Sequence, residues 1–349
     1  MKLIKKILFI LNAILVALSL FAFLSPYISP EKIWFFSFLG LFFPVLMLLN
    51  IVFVLFWWLT DWKHSWLSIL ILMGGIFISP YILSFRGTES SDDYSISVAS
   101  YNMNYAYGTF LPGSQQYDQG SIEVFRSFLT DTLDADILCG QEINGFLEKL
   151  LNGHYPYIAS SPNVRTTIYS KFPFINKGII DFGGITNSCV WADLLVKKDT
   201  VRVYSAHFQS NNITKDADQV FEDVENRQSF KFFRIRSILA KYKNNVIIRA
   251  EQARKVRKHM DNCPHPIIMG VDLNDPPISY THRKFSSRLQ DAFTIQGEGF
   301  SSSYAGRIPL LRIDNLFFSK DFEVASYKVY SEKYSDHYPI KSTVRFIGK

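Results

Sequence analysis

The chain has 349 residues, of which 48% are hydrophobic and only 19% are charged, and its net charge is +6. Charge is divided unevenly, because residues 1–85 hold five of the 37 basic residues, two of the 31 acidic residues and five of the six tryptophans. This composition excludes a purely soluble enzyme, a disordered chain and a disulfide-scaffold protein. It predicts that the N-terminal part lies in lipid and that the rest of the chain is in water.

Three apolar runs predict that residues 1–85 form a membrane anchor. They cover residues 7–25, 33–59 and 66–85, and none of them contains a charged residue. Since a helix needs about 20 apolar residues to cross the hydrocarbon core, we expect three transmembrane helices. Pro44 and Pro80 fall inside the second and third runs, where membrane helices tolerate proline better than soluble helices do.

The first run has an alternative interpretation as a cleaved signal peptide, because basic residues precede it. No clear small-residue cleavage site follows and two further runs come next, so we expect a retained span. The lysines before residue 7 and Lys63 in the second loop place the N-terminus in the cytoplasm, although Arg86 weakly opposes this orientation. We therefore expect a multi-pass protein of the bacterial inner membrane, with residues 86–349 on the extracytoplasmic side.

Residues 86–93 form a predicted polar linker, and a water-soluble domain is expected over residues 94–349. Its apolar patterns predict short strands at residues 94–98, 136–141, 190–196, 201–208, 266–271, 313–319, 323–330 and 340–346. Helical patterns appear at residues 122–133 and 249–260, and residues 211–243 are expected to be a helical excursion rather than a substrate lid. Strands outnumber helices, which favours an α/β (α+β) sandwich with mixed sheets over a doubly wound parallel sheet.

Polar side chains recur at the ends of these strands. They are Asn102 and Asn104 in SYNMN, Glu142 in CGQE, His207 in SAHFQS, Asp272, Asn274 and Asp275 in MGVDLNDPP, Asp314 in RIDNLFFS, and Asp336 and His337 in YSDHYPI. Each one alone is explained as a turn residue. As a set they predict a site, because the ends of strands converge on one rim of a sandwich.

The residue types in this set indicate hydrolysis of a phosphate ester. Carboxylates and amides are hard oxygen ligands, which suit Mg²⁺, and also Mn²⁺ or Ca²⁺, rather than zinc. The scattered Cys139, Cys189 and Cys263 predict neither a zinc site nor a disulfide framework. A cation and a protonated histidine neutralise phosphoryl oxygens, a carboxylate activates water, and a histidine or metal-bound water assists the leaving group.

The motifs SYNMN, QE, YSKFPF, AHFQS, GVDLND, RIDNLFFS and SDHYPI stand in the order and spacing of the endonuclease/exonuclease/phosphatase superfamily. That superfamily includes pancreatic-type deoxyribonuclease, neutral sphingomyelinases and inositol-polyphosphate phosphatases. The resemblance covers residues 95–346, and the front end resembles that of membrane-anchored bacterial members. It implies a four-layer sandwich in which two mixed β-sheets are flanked by helices.

The resemblance also implies a metal site. Glu142 is similar to the principal metal ligand of the family, Asn102 to an amide near the metal and phosphate, and Asp336 to a further metal-site carboxylate. Asn104 stands where some nuclease members carry Asp and is expected to bind substrate. With Val271 in place of a common Gly and Asn315 in place of a common aromatic, the second metal position and the substrate subclass stay open.

The catalytic roles come from the same resemblance. Asp272 is similar to the residue that orients or deprotonates the attacking water, and Asn274 to the one that holds the phosphate. His337 is expected to contact the phosphate, with Asp314 orienting its ring. His207 resembles the second catalytic histidine, near the leaving group.

The expected partners are the lipid bilayer and a phosphate-ester substrate, with no protein partner indicated. The charge of the water-soluble part is too mild to argue for duplex DNA, and a tether raises the effective concentration of lipid headgroups. We therefore expect a membrane-anchored, metal-dependent phosphodiesterase or phosphatase acting on a lipid headgroup. A metal-dependent nuclease outside the cytoplasm is the first alternative, and a non-catalytic, membrane-anchored binding module is the second.

Overall fold

The computed structural model of the protein describes residues 2–87, 95–161, 164–184, 186–211, 232–306 and 310–347. The chain packs as two compact units. The first comprises Met1–Ile82, Asn211–Ala250 and Asp275–Arg283, and the second comprises Leu83–Ser210, Glu251–Asn274 and Lys284–Lys349. Residues 88–93 of the predicted linker, and residues 212–231 of the predicted helical excursion, lie outside the described residues.

The first unit contains apolar helices near the N-terminus. They are α1 (Lys2–Leu24), α2 (Pro30–Leu41), α3 (Phe43–Thr60) and α4 (Trp66–Ile76). Among the described helices, α1 and α3 are long and apolar enough to cross a membrane. The expectation of three transmembrane helices is therefore corrected to two candidates.

Two breaks in the backbone explain the difference. The second apolar run, residues 33–59, divides into α2 and α3 at Phe42, because Pro44 has no backbone N–H and its ring conflicts with the carbonyl one turn earlier. The third run, residues 66–85, is helical only over the 11 residues of α4. That helix is about 16 Å long, roughly half the thickness of the hydrocarbon core.

Buried polar side chains join α1 to α3 and α4. Asn12 of α1 donates from Nδ2 to Ser68 Oγ at 2.7 Å and accepts from Trp57 Nε1 at 3.0 Å. Asn50 of α3 donates from Nδ2 to Ser19 Oγ at 2.9 Å. Because each of these bonds requires one particular pairing of helix faces, the helices form a specific bundle.

The second unit is built on two six-stranded sheets. The strands in chain order are β1 (Ser84–Phe85), β2 (Ser95–Asn102), β3 (Ile137–Gln141), β4 (Tyr157–Ala159), β5 (Thr167–Ser170), β6 (Phe174–Asp181), β7 (Ser188–Val196), β8 (Asp199–His207), β9 (Ile267–Asp272), β10 (Gln290–Asp291), β11 (Glu298–Gly299), β12 (Asp314–Phe318), β13 (Phe322–Val329) and β14 (Ile340–Phe346). One sheet has the order β10-β12-β9-β8-β7-β6 and the other β13-β14-β2-β3-β5-β4. The pairs β2–β3 and β8–β9 are parallel and the remaining neighbours are antiparallel, so both sheets are mixed, as predicted.

Helices flank the two sheets. After α4 they are α5 (Gln119–Ser127), α6 (Gly145–Leu150), α7 (Phe232–Asp261), α8 (Tyr280–Ser286) and α9 (Ala292–Gln296). Ile122 and Phe125 of α5 and Leu147 of α6 pack on the outer face of one sheet, and Ala253 and Val256 of α7 pack on that of the other. This layering confirms the predicted sandwich of two sheets flanked by helices.

The sheets pack face to face through a core of branched apolar side chains. Val98 and Ile137 of one sheet lie in the same cluster as Val203 and Ile268 of the other. The sheets approach each other closely at Gly270, where a Cβ atom would lie 2.5 Å from Cys139 Cβ. Cys139 is therefore a core residue, and burial raises the pKa of its thiol to about 12.

Gly270→Ala is expected to lower the free energy of unfolding by about 1–3 kcal/mol, because the new methyl group overpacks the contact between the sheets. The measurement is urea unfolding of the full-length protein in detergent. Gly145→Ala is the matched control, since no atom lies within 4 Å of the added Cβ. An equal shift in the two variants would contradict the close approach of the sheets at Gly270.

Candidate active site

The polar residues predicted at the strand ends lie together in the second unit, except for Asp275, which belongs to the first unit. Asp272, at the end of β9, is in register with His207 at the end of the parallel β8 and with Asp314 at the start of the antiparallel β12. Asn102, at the end of β2, is in register with Gln141 of β3, so Glu142 follows it immediately. Strand register thus groups the site residues at one edge within each sheet.

The side chain of Asn102 connects the two sheets. Its Nδ2 donates to Glu142 Oε1 at 3.1 Å and to Asp272 Oδ2 at 2.9 Å, and its Oδ1 accepts from the backbone N of Asn104 at 3.0 Å. Asn104 in turn donates from Nδ2 to Asp336 Oδ1 at 2.7 Å. The amides of Asn102 and Asn104 therefore orient three carboxylates, and the predicted contact of Asn104 with substrate stays a prediction.

His337 forms a buried ion pair. Its Nδ1 donates to Asp314 Oδ2 at 2.8 Å, and its Nε2 lies 3.9 Å from Asp272 Oδ2. Burial by itself lowers the pKa of His337, but the charges of Asp314 and Asp272 and the hydrogen bond outweigh burial and raise that pKa to about 10. The pKa of Asp314 is raised to about 6 by burial, partly offset by His337. At neutral pH the pair is therefore imidazolium and carboxylate.

His207 is buried with one ring nitrogen fixed by the backbone. Its Nδ1 lies 3.1 Å from the carbonyl oxygen of Thr186, which accepts a hydrogen bond and so requires the proton on Nδ1. Its Nε2 lies 3.5 Å from both Glu142 Oε1 and Asp272 Oδ2, and has no hydrogen-bond partner within the described part of the chain. This nitrogen is thus available to a group that enters the site.

Asn274 completes the network beside Asp272. Its backbone N donates to Asp272 Oδ1 at 2.8 Å, and its Nδ2 donates to the carbonyl oxygen of Phe208 at 3.0 Å. Nine of the residues predicted for the site, all except Asp275, are therefore connected by short contacts. They are Asn102, Asn104, Glu142, His207, Asp272, Asn274, Asp314, Asp336 and His337.

Two sets of residues have the donor chemistry of a metal site. Asp272, Asp314 and His337 each bring one ligand atom within 4.8 Å of the others. However, a protonated His337 has no free lone pair with which to bind a metal, and Asp314 is already paired with its ring. Glu142, Asn102 and Asp336 offer oxygens outside this ion pair, and these hard donors fit a divalent cation such as Mg²⁺.

The turns after the strands adopt left-handed backbone conformations. The φ angles are 40° at Asn104, 52° at Glu142 and 51° at Asn274. Asparagine tolerates this region, whereas glutamate rarely enters it, and each such residue costs on the order of 1–3 kcal/mol. The surrounding hydrogen bonds hold these conformations, which direct the side chains into the site.

Some contributors to the site were not expected from sequence. Ser335 Oγ donates to the carbonyl of Asn102 at 2.8 Å and accepts from the backbone N of His337 at 3.1 Å. Ser303 Oγ accepts from the backbone N of Asp314 at 2.9 Å. Ser335 stands inside the SDHYPI motif and was identifiable there, whereas the serine at 303 and the carbonyl of Thr186 carry no signal in the sequence.

Asp314→Asn is expected to lower the pKa of His337 from about 10 towards its ordinary value of about 6.5, because the variant removes the largest influence that raises it. The measurement is an NMR titration of ¹⁵N-labelled histidine side chains in protein treated with a chelator. Asp134→Asn, an exposed carboxylate paired with Lys171, serves as the control. A His337 pKa unchanged by Asp314→Asn would contradict the ion pair.

Comparisons with known proteins bear on both units. Residues 5–82 match the profile of a family described as Domain of unknown function (DUF8431). Residues 99–337, more than half of the chain, match the profile described as Endonuclease/Exonuclease/phosphatase family. A search of curated protein sequences found no match.

Solved structures share the fold. An endonuclease/exonuclease/phosphatase from Bacteroides vulgatus is 14% identical, with a TM-score of 0.52 over 72% of this chain and 99% of that one. D. rerio TDP2, complexed with a single-strand DNA product, is 16% identical, with a TM-score of 0.50 over 72% of this chain and 100% of that one. On the extent of the family match, the chain belongs to the endonuclease/exonuclease/phosphatase family and is a metal-dependent hydrolase of phosphate esters.

Proposed function

We propose that this hydrolase is held in a bacterial inner membrane and cleaves the phosphate ester of a lipid headgroup on the extracytoplasmic side. The observation that carries the chemistry is the buried carboxylate of Asp272, which lies 3.5 Å from His207 Nε2 and 3.9 Å from His337 Nε2. A carboxylate between two imidazoles suits the orientation and deprotonation of an attacking water.

The two histidines then have different tasks. His337, protonated and oriented by Asp314, contacts a phosphoryl oxygen and stabilises the negative charge that develops there. His207 has its Nδ1 bonded to the backbone, so its Nε2 faces the site. There it lies near the leaving group and assists its departure by proton transfer. Asn274 holds the phosphate, and its geometry is set by the hydrogen bonds to Asp272 and Phe208.

Charge balance supports a bound divalent cation. Asp272 and Asp314 are buried together with Glu142 and Asp336 nearby, and a phosphate ester adds further negative charge. One imidazolium does not offset this excess, so substrate binding requires another cation. Glu142, Asn102 and Asp336 are the residues that would hold Mg²⁺, which when bound supplies neutralisation of the phosphoryl oxygens.

The contacts among the N-terminal helices support retention of α1 as part of the working protein. Removal of α1 as a signal peptide would leave Ser68 and Trp57 without the hydrogen bonds that they make to Asn12. Buried polar groups that lose their partners are costly. A retained bundle would tether the second unit to the bilayer, and a tether raises the effective concentration of lipid headgroups over that of nucleic acid.

Glu142→Ala is expected to lower kcat on bis(p-nitrophenyl) phosphate by about 10²–10³-fold, because a principal oxygen ligand of the cation is lost. The assay uses full-length protein with Mg²⁺. Mg²⁺ is also expected to raise the Tm of the wild type, since it binds the folded state, and not that of Glu142→Ala.

Glu123→Ala is the matched control, because Glu123 is an exposed carboxylate on α5 paired with Arg126. Full activity in Glu142→Ala would contradict the metal assignment. A wild type that neither hydrolyses phosphodiesters nor responds to Mg²⁺ would favour a binding module.

The substrate class is tested with full-length protein in lipid nanodiscs and Mg²⁺. Phospholipid or sphingolipid headgroups in the same disc are expected to turn over faster than single-stranded or duplex DNA, because the tether presents them at high effective concentration. His337→Ala protein in identical discs gives the background rate. Faster turnover of DNA than of any headgroup would reject the lipid preference and favour the nuclease.

A further inference from the structure

The chain passes directly from the predicted catalytic loop into a segment that packs with the N-terminal helices. Asp272 and Asn274 belong to the second unit, and the residues that follow, Asp275–Arg283, belong to the first unit together with Met1–Ile82. We call Asp275–Arg283 the post-catalytic segment. Its side chains at Asp275, Ile278, Ser279, Thr281 and His282 are all buried, which is unusual for a polar connection that follows a strand.

The N-terminal helices hold this segment through its backbone. Ser25, directly after α1, donates from Oγ to the carbonyl oxygen of Ile278 at 3.0 Å, and this hydrogen bond is buried. A Cβ atom on Gly40 of α2 would lie 2.4 Å from the same carbonyl oxygen. The backbone of α2 therefore touches the post-catalytic segment so closely that only glycine fits.

Side chains add to this attachment. Ile278 lies in the apolar cluster formed by Leu15 of α1, Leu39 of α2 and Phe43 and Leu46 of α3. Further along the segment, the His282 ring lies 5.7 Å from that of Tyr81, and the Arg283 guanidinium lies 4.3 Å from the ring of Tyr27. The segment is thus packed into the helical bundle along its length.

A buried ion pair fixes the first residue of the segment. Arg249 Nη2 lies 3.1 Å from Asp275 Oδ1 and also donates to Asn211 Oδ1 at 2.9 Å. Arg249 is 0% exposed and Asp275 is 1% exposed, so solvent screens this charge-assisted hydrogen bond little. Asp275 follows Asn274 by a single peptide bond, and Asn274 is itself bonded to Asp272.

We propose that Ser25 and Gly40 are positioning residues for catalysis, because they fix the post-catalytic segment and, through it, the placement of Asn274 and Asp272. Residues 1–82 are then a working part of the enzyme and not an exchangeable tether. This inference rests on the proposed function, in which Asp272 and Asn274 act on water and phosphate. A displacement of about 1 Å at reacting groups costs on the order of 100-fold in rate.

The test compares Gly40→Ala with the matched control Gly75→Ala in full-length protein with Mg²⁺. At Gly75 the added Cβ would lie 3.1 Å from Met47 Sδ, a flexible side-chain atom of α3, whereas at Gly40 it meets a backbone carbonyl. Gly40→Ala is expected to lower kcat on bis(p-nitrophenyl) phosphate by about 10- to 100-fold with little change in KM. Gly75→Ala is expected to keep the kcat of the wild type.

Ser25 provides a second variant that does not force a helix apart. Ser25→Ala removes the hydrogen bond to Ile278 and is expected to lower kcat, whereas Ser25→Thr keeps a hydroxyl and is expected to restore it. Each kcat is normalised to the fraction of folded protein, measured by circular dichroism, so that weaker folding alone does not lower it. Equal kcat values in Ser25→Ala and the wild type, together with an unaffected Gly40→Ala, would overturn the proposal.

Hydrogen exchange gives a readout that does not depend on activity. Gly40→Ala is expected to speed exchange of the amides from Leu273 to Arg283, while those of β2 stay as protected as in the wild type. Unchanged exchange from Leu273 to Arg283 would overturn the proposal, even if kcat falls. If the wild type hydrolyses no phosphoester, the proposed function fails, and faster exchange in Gly40→Ala still supports the structural coupling.

Discussion

The carboxylate of Asp272 is fully buried where the carboxyl ends of two sheets meet, and the rest of the site depends on how its charge is satisfied. A buried charge without partners is unstable, so the groups around it are directed inward. Asn102 reaches Asp272 from the opposite sheet at 2.9 Å, and two imidazoles approach within 4 Å. The same contacts that stabilise the carboxylate therefore assemble the candidate catalytic residues.

Strand register explains why this assembly was predictable. A polar residue that ends a buried strand must lie at the edge of its sheet. The parallel pairs β2–β3 and β8–β9 align their carboxyl ends at such an edge. The sequence therefore predicted the two mixed sheets and the grouping of the strand-end residues. It did not predict the left-handed turn at Glu142, because nothing in the local sequence requires positive φ there. The contact between the carbonyl of Thr186 and His207 could not be predicted from sequence either, because any residue type supplies a backbone carbonyl.

The N-terminal helices show a different limit of sequence reasoning. Apolar composition is shared by spanning and non-spanning helices, so a long apolar run predicts burial in lipid or protein but not a continuous helix. The break before Pro44 and the end of α4 at Ile76 are properties of backbone hydrogen bonding. Asn12 was visible as the single amide in the first run, but its partners Ser68 and Trp57 depend on tertiary packing.

The specificity of the helical bundle bears on what it does. An anchor that needs only to partition into lipid gains nothing from buried amides, which weaken partitioning. Asn12 and Asn50 instead fix the arrangement of α1, α3 and α4, and a bundle with a fixed arrangement can hold Ser25 and Gly40 against the carbonyl of Ile278. A flexible tether limits only how far the catalytic unit can move from the bilayer, whereas a rigid bundle can also fix the position of a segment packed against it. The buried amides thus give the bundle the rigidity that the proposed positioning of the segment after Asn274 requires.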